Sequence, residues 1–159
     1  MNRLLGTLLA VIVVAGGGFL GYRAYTGETN TVRAEVTVEP ASAPLGETLT
    51  LTVKVENVSL DTITVRGISL SDDLASAVTV TETQPITRTA EHSPLLGQKW
   101  TEYTLHQPLA GGNTLEVVFT LQAAAEGVYS GEVNVWVEDT FLGLSHARAA
   151  RVPVTLRIE

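Results

Sequence analysis

The sequence contains no cysteine, which excludes disulfides, thiolate metal sites and cysteine nucleophiles. Histidine is nearly as scarce: His92, His106 and His146 are the three in the chain. They lie far apart, and none has a second ligand at a metal-binding spacing. Acidic positions exist at Asp72-Asp73, Asp61 and Asp139, but no loop carries the regular acidic spacing of a known calcium motif. Ser93 and Ser145 stand near histidines, yet neither sits in a nucleophile-elbow sequence and neither has a third group to orient a base. Nothing in the chain therefore points to catalysis, a cofactor or a small-molecule substrate. Positive charge is also sparse. From Glu28 onward eight basic residues face seventeen acidic ones, a net charge of −9. A field of that sign repels nucleic acid and anionic membrane surfaces.

Apolar residues make up 45% of the chain, and part of that is concentrated at the start. Residues 4–22 contain no charge. A helix of that length is about 28 Å long, close to the hydrocarbon thickness of a bilayer. Two readings of the stretch stand. One is an uncleaved signal anchor, a single transmembrane helix over residues 1–23. The other is a signal peptide cut after Val13-Val14-Ala15. The apolar run continues past that site through Phe19 and Leu20, which favours the anchor. Gly17 and Gly21 have the small-xxx-small spacing that lets helices approach closely. A short tail before an apolar run is the export pattern, so residues beyond it are expected outside the cytoplasm. A cysteine-free extracytoplasmic domain is ordinary in prokaryotes. Residues 24–31 read as a short stalk.

Residues 32–159 read as one all-β domain. In residues 44–57 a turn signal leads into strict alternation, with Leu49, Leu51, Val53 and Val55 on one face and Thr48, Thr50, Thr52, Lys54 and Glu56 on the other. That period of two marks a strand wet on one side and buried on the other. The same pattern recurs over residues 32–39, 114–122 and 128–138, and in the last strand at Val152, Val154, Leu156 and Ile158. In residues 62–70, Ile63 and Val65 share one parity while Ile68 and Leu70 share the other, the switch a bulge at Arg66-Gly67 produces. Residues 71–77 read as a connection and residues 83–98 as an irregular segment. No helix is expected after residue 24. The sum is an antiparallel two-sheet sandwich of seven to eight strands. In it, the strand of residues 44–57 is covered by residues 115–121, 133–137 and 152–158.

With the strands laid out, the chain resembles the prokaryotic cell-surface immunoglobulin-like modules, the CARDB-like and S-layer-associated envelope domains. The residues that carry this are Val36-Thr37-Val38-Glu39-Pro40, the turn Leu45-Gly46-Glu47 before a strand ending in Asn57, Gly111-Gly112-Asn113-Thr114-Leu115, and Glu126-Gly127-Val128-Tyr129. Tyr129 is similar in position to the tyrosine corner at the start of strand F, whose hydroxyl bonds back to the preceding turn. The resemblance implies adhesion, spacing or scaffolding at the cell envelope, without catalysis.

One local feature goes further. Trp136 has outward parity, opposite Val133, Val135 and Val137, and the hairpin after it carries Phe141 and Leu142 at its tip. Exposed aromatic and apolar side chains together mark a partner surface. The alternative is that another segment covers them. Trp100 has ambiguous parity and belongs either to the core or to the same patch. The expectation is a single-pass, membrane-anchored, non-catalytic module that binds an envelope protein or polymer through Trp136, Phe141 and Leu142. A subunit of a surface filament or surface layer is the alternative plan.

Overall fold

The computed structural model describes residues 28–92, 100–141 and 144–159, with side chains described outside 90–92, 139–141 and 144–146. The apolar stretch 4–22 lies outside the described residues. Among those described, no helix is long and apolar enough to cross a membrane.

The alternating segment forms strand β3 (Thr48–Asn57), and its four apolar side chains are buried. Each contributes roughly 1.5–3 kcal/mol when fully buried. Two strands flank β3 in one antiparallel sheet, β1 (Val32–Glu39) and β8 (Thr114–Ala123). The register sets like beside like. Leu49, Leu51, Val53 and Val55 lie opposite Leu121, Phe119, Val117 and Leu115. On the other side Val53 and Val55 face Val36 and Ala34. β5 (Val78–Gln84) completes this four-stranded sheet, in the order β1-β3-β8-β5.

The second sheet has six strands. They are β2 (Ser42–Ala43), β10 (Leu144–Ile158), β9 (Gly127–Phe141), β4 (Ile63–Ser71), β7 (Trp100–Leu109) and β6 (Arg88–His92), in that spatial order. Lettered in chain order, the first sheet reads A-B-E-D, and β4, β9 and β10 stand as C, F and G in the second. This is the arrangement of an immunoglobulin-type sandwich, with β6 and β7 added beyond C. The sheets close on Val65, Ile68 and Leu70 of β4, the three valines Val133, Val135 and Val137 of β9, and Leu156 and Ile158 of β10. Across the gap, the Tyr103 ring of β7 meets Phe119 of β8 edge-on, with centroids 5.1 Å apart.

The cover of β3 is therefore β4, β9 and β10. Residues 115–121 are its hydrogen-bonded neighbours in the same sheet, a correction to the expected layering. The described residues hold ten strands rather than seven or eight. Part of the segment expected to be irregular is edge strand β6, which pairs with β7 from Arg88 opposite Thr104 to His92 opposite Trp100. The connection after β4 is a short helix, α1 (Asp72–Ala77), where no helix was expected. Leu74 and Ala77 are its buried residues. They are spaced three apart, one side of a single turn, too short a signal to be read as a period. Asp72 and Asp73 occupy its first turn, where negative charge opposes the helix dipole. The last residues of the expected stalk also pair: Glu28 forms a bridge with Ala149, and Thr29 N donates to Ala149 O at 3.2 Å.

The bulge is where the parity switch put it, with the register shifting between Val65 and Gly67. Tyr129 also takes its expected role, since its hydroxyl donates to Glu126 O at 3.0 Å. Its ring lies against Gly127 (φ +143°), where a Cβ would stand 3.3 Å from it. Pro153 points outward along the part of β10 that has no second strand partner, as its missing N–H requires.

At the other end, Asn57 is 0% exposed and has all its hydrogen-bonding capacity used. Its Nδ2 donates to Leu109 O and to Asp61 O, both at 2.8 Å. Its Oδ1 accepts from Ser59 N at 3.0 Å and from the Ser59 hydroxyl at 2.8 Å. Its backbone bonds Asn113 O and Gly112 N, each at 2.9 Å. Substituting Asn57→Leu keeps the volume but strands these partners. It is expected to cost about 2–4 kcal/mol in urea unfolding, the sum of the orphaned groups. Desolvation by burial raises the Tyr103 pKa above its ordinary value of 10.0. The folded state thus holds its proton more tightly than the unfolded state. The corresponding stability is complete below pH 10 and is lost as pH rises through the folded pKa. Unfolding free energy should fall in that alkaline range, and Tyr103→Phe should remove that part of the fall.

Candidate partner-binding face

The bulge that reverses parity in β4 also builds the outer face of the six-stranded sheet. Arg66 is the extra residue on the side of β9, because Val65 pairs with Val137 and Gly67 with Trp136. Toward β7, two residues, Leu105 and His106, span the same interval. His106 absorbs the irregularity with φ +50°. Bulges re-aim side chains, and the guanidinium of Arg66 meets Glu102 of β7. Nε stands 2.9 Å from Oε1, and Nη2 donates to Oε2 at 3.1 Å. Glu102 is 2% exposed while Arg66 keeps partial contact with water.

Trp136 lies in the next row. Its neighbours are Gly67 on β4 and Ala149 on β10, two small residues that leave the indole room to lie over the sheet. Gly67 is required as glycine. A Cβ there would come 2.6 Å from Tyr103 O and 3.2 Å from the Glu102 carboxylate. The indole N–H of Trp136 donates to Ser69 Oγ at 2.9 Å. Ser69 is 0% exposed although its parity is outward. The Trp136 indole reaches it from β9, and the Trp100 and Trp136 rings stack with centroids 5.8 Å apart and planes 26° from parallel.

Trp136 has outward parity and is half-buried, not fully exposed. Trp100 belongs with it, not with the core. The Phe141 backbone ends β9 opposite Leu144, but its side chain, and Leu142 altogether, lie outside what is described. Arg66, Ser69 and Glu102 were missed. Outward parity was the available signal for Ser69 and Glu102, and an isolated polar residue at such a position is unremarkable. Of the histidines, His106 pairs with Glu138 at 3.2 Å on the surface. Among the described residues no group of three or more metal-ligating side chains gathers.

Polar side-chain pairs flank the indole pair along β9. Arg151 and Glu132 approach to 3.9 Å on one flank, and His106 and Glu138 lie on another. The arrangement is an aromatic centre on rigid strands, with a polar border. It offers apolar contact area.

No protein-family model matches the sequence, and no curated protein matches it. Solved structures do resemble the fold. One, described as AvmM, which catalyses macrocyclisation in alchivemycin A biosynthesis, is 15% identical, with a TM-score of 0.51 over 81% of this chain and 90% of that one. A cohesin module from a Clostridium perfringens family 33 glycoside hydrolase is 14% identical, with a TM-score of 0.47 over 82% of this chain and all of its own. A non-cellulosomal cohesin from Archaeoglobus fulgidus is 16% identical, with a TM-score of 0.43 over 80% of this chain and 91% of that one. At such identities the likeness concerns the fold: the chain is a β-sandwich module.

Ser69→Ala removes the acceptor of the indole N–H and is expected to cost about 1–2 kcal/mol in urea unfolding. Trp136→Phe should abolish the coupled-indole signal in the circular dichroism spectrum. A spectrum unchanged by Trp136→Phe would show that the two rings do not stack in solution.

Proposed function

We propose that this chain is a membrane-anchored, extracytoplasmic module of a prokaryotic envelope that binds a protein partner, without catalysis, through the outer face around Trp136. The observation that carries the reading is the stacked Trp100–Trp136 pair bordered by the Glu132–Arg151 and His106–Glu138 pairs. Interfaces that bind protein concentrate their energy in a few large aromatic anchors and surround them with polar groups. Here the anchors stand on central strands β9 and β7, so little conformational freedom is lost on binding. The uncharged residues 4–22 support the anchoring, and the net charge of −9 from Glu28 onward supports a domain that stays off anionic surfaces.

The test is photo-cross-linking of the full-length chain in its own envelope. A photoreactive residue in place of Glu132, on the rim, is expected to give a discrete heterologous adduct that disappears with Trp136→Ala. The same residue in place of Lys54, on the outer face of the four-stranded sheet, should give none. An adduct that forms equally from both positions, or survives Trp136→Ala, would refute the site. An adduct with a second copy of the chain would replace the module with the filament or layer subunit.

A further inference from the structure

Five large apolar side chains are exposed among the described residues: Leu45, Val58, Leu60, Ile86 and Val128. Scattered exposure of that kind is ordinary, but Val58 and Leu60 share one turn, and Leu60 is 99% exposed. The turn is not loose. Asn57 holds Asp61 O with its Nδ2 and both the N–H and the hydroxyl of Ser59 with its Oδ1. The turn lies so close to Gly111 that a Cβ there would stand 2.7 Å from both Ser59 O and Leu60 O. A shallow depression of about 410 Å³ lies beside it, lined in part by Arg33, Glu56 and Gly112. Leu60 is thus projected into solvent by a turn whose backbone is pinned from two sides, and the core does not use it.

The same turn marks where the chain enters the domain. Val58 N donates to Thr31 O at 2.9 Å, and Val32 pairs with Asn57. Tyr22, the last of the uncharged stretch, is only nine positions before Thr31. Six steps lead from Tyr22 to Glu28, which already bridges Ala149, and six steps reach about 20 Å when fully extended. Leu45 lies beyond the far end of β3, a strand about 33 Å long.

We propose that the β3–β4 turn is the membrane-facing end of the domain, and that Leu60, flanked by Val58, inserts into the interfacial layer of the bilayer that residues 4–22 cross. The inference rests on the anchored reading given above. One leucine suffices because the tether makes its contact intramolecular, at high effective concentration. Asp61 and the net negative domain oppose anionic headgroups, so insertion is strongest in zwitterionic bilayers and weakens as anionic lipid is added at low salt. The contact fixes the tilt of the sandwich, and with it the height at which the Trp136 face stands above the membrane.

The absence of cysteine makes single labels clean. Leu60→Cys, Ile86→Cys and Leu45→Cys, each carrying an environment-sensitive nitrobenzoxadiazole dye, are compared in the full-length chain reconstituted into phosphatidylcholine vesicles. Ile86 is 93% exposed, so it matches Leu60 in exposure. The dye at Leu60 should emit at shorter wavelength, and lipid-borne quenchers near the headgroups should quench it several-fold more than at the other two sites. Equal quenching at all three sites, in a chain that floats with the vesicles after an alkaline wash, would overturn the membrane contact and leave the anchor standing. A chain that fails to float would overturn both.

Discussion

Buried Asn57 ties four strands at one end of the sandwich through its side chain and its backbone. It belongs to β3, but its Nδ2 reaches Leu109 at the end of β7 and Asp61 just before β4. Its backbone holds the Gly112-Asn113 turn that opens β8. No apolar residue could do this. Hydrophobic contact is non-directional, and it brings the two sheets together without choosing where each strand starts. Register matters because a slip of one residue turns every side chain to the opposite face. Asn57 fixes the origin of that count for both sheets at once. Its cost of burial is offset because no donor or acceptor is left over.

From that origin, a single extra residue in β4 determines what the outer face carries. Val65 and Ile68 both reach the core only because Arg66 is taken out of the alternation. The displaced Arg66 is then available to Glu102, and Gly67 leaves the gap over which the Trp136 indole lies. The core and the candidate face thus share one cause. The same bulge satisfies the inner packing and supplies the outer layer. A residue inserted or removed there would disturb both together.

Much of this was legible from period two. The inward faces of β3, β8 and β9, the bulge and the tyrosine corner all follow from alternation and turn chemistry acting over a few residues. Trp136 read as outward for the same reason. What alternation does not contain is the identity of the neighbour. The leucines and valines of β8 look the same whether they lie beside β3 or across from it, so β8 was misplaced as cover. Strand β6 carries no period, because an edge strand of five residues needs no buried face of its own. The stack of Trp100 on Trp136 and the burial of Ser69 arise from side chains on three strands meeting across the sheet, and no local pattern announces that. Half-burial of Trp136 follows from the same contact.

The path of the incoming chain bears on the candidate face as well. Glu28 pairs with Ala149, Ala149 with Trp136, and Trp136 with Gly67. Four backbone segments therefore lie side by side in one row across the sheet, and the first of them is the incoming chain. A partner seated on the indoles would sit beside the segment that joins the sandwich to residues 1–27. The turn bearing Leu60 is linked to that segment too, through the bond from Val58 to Thr31. The incoming chain, the β3–β4 turn and the Trp136 row are thus linked through hydrogen-bonded neighbours. The adjoining β9–β10 ladder continues from Phe141–Leu144 through Gly127–Ile158. Among the described residues that ladder is the longest, and it backs the indole platform.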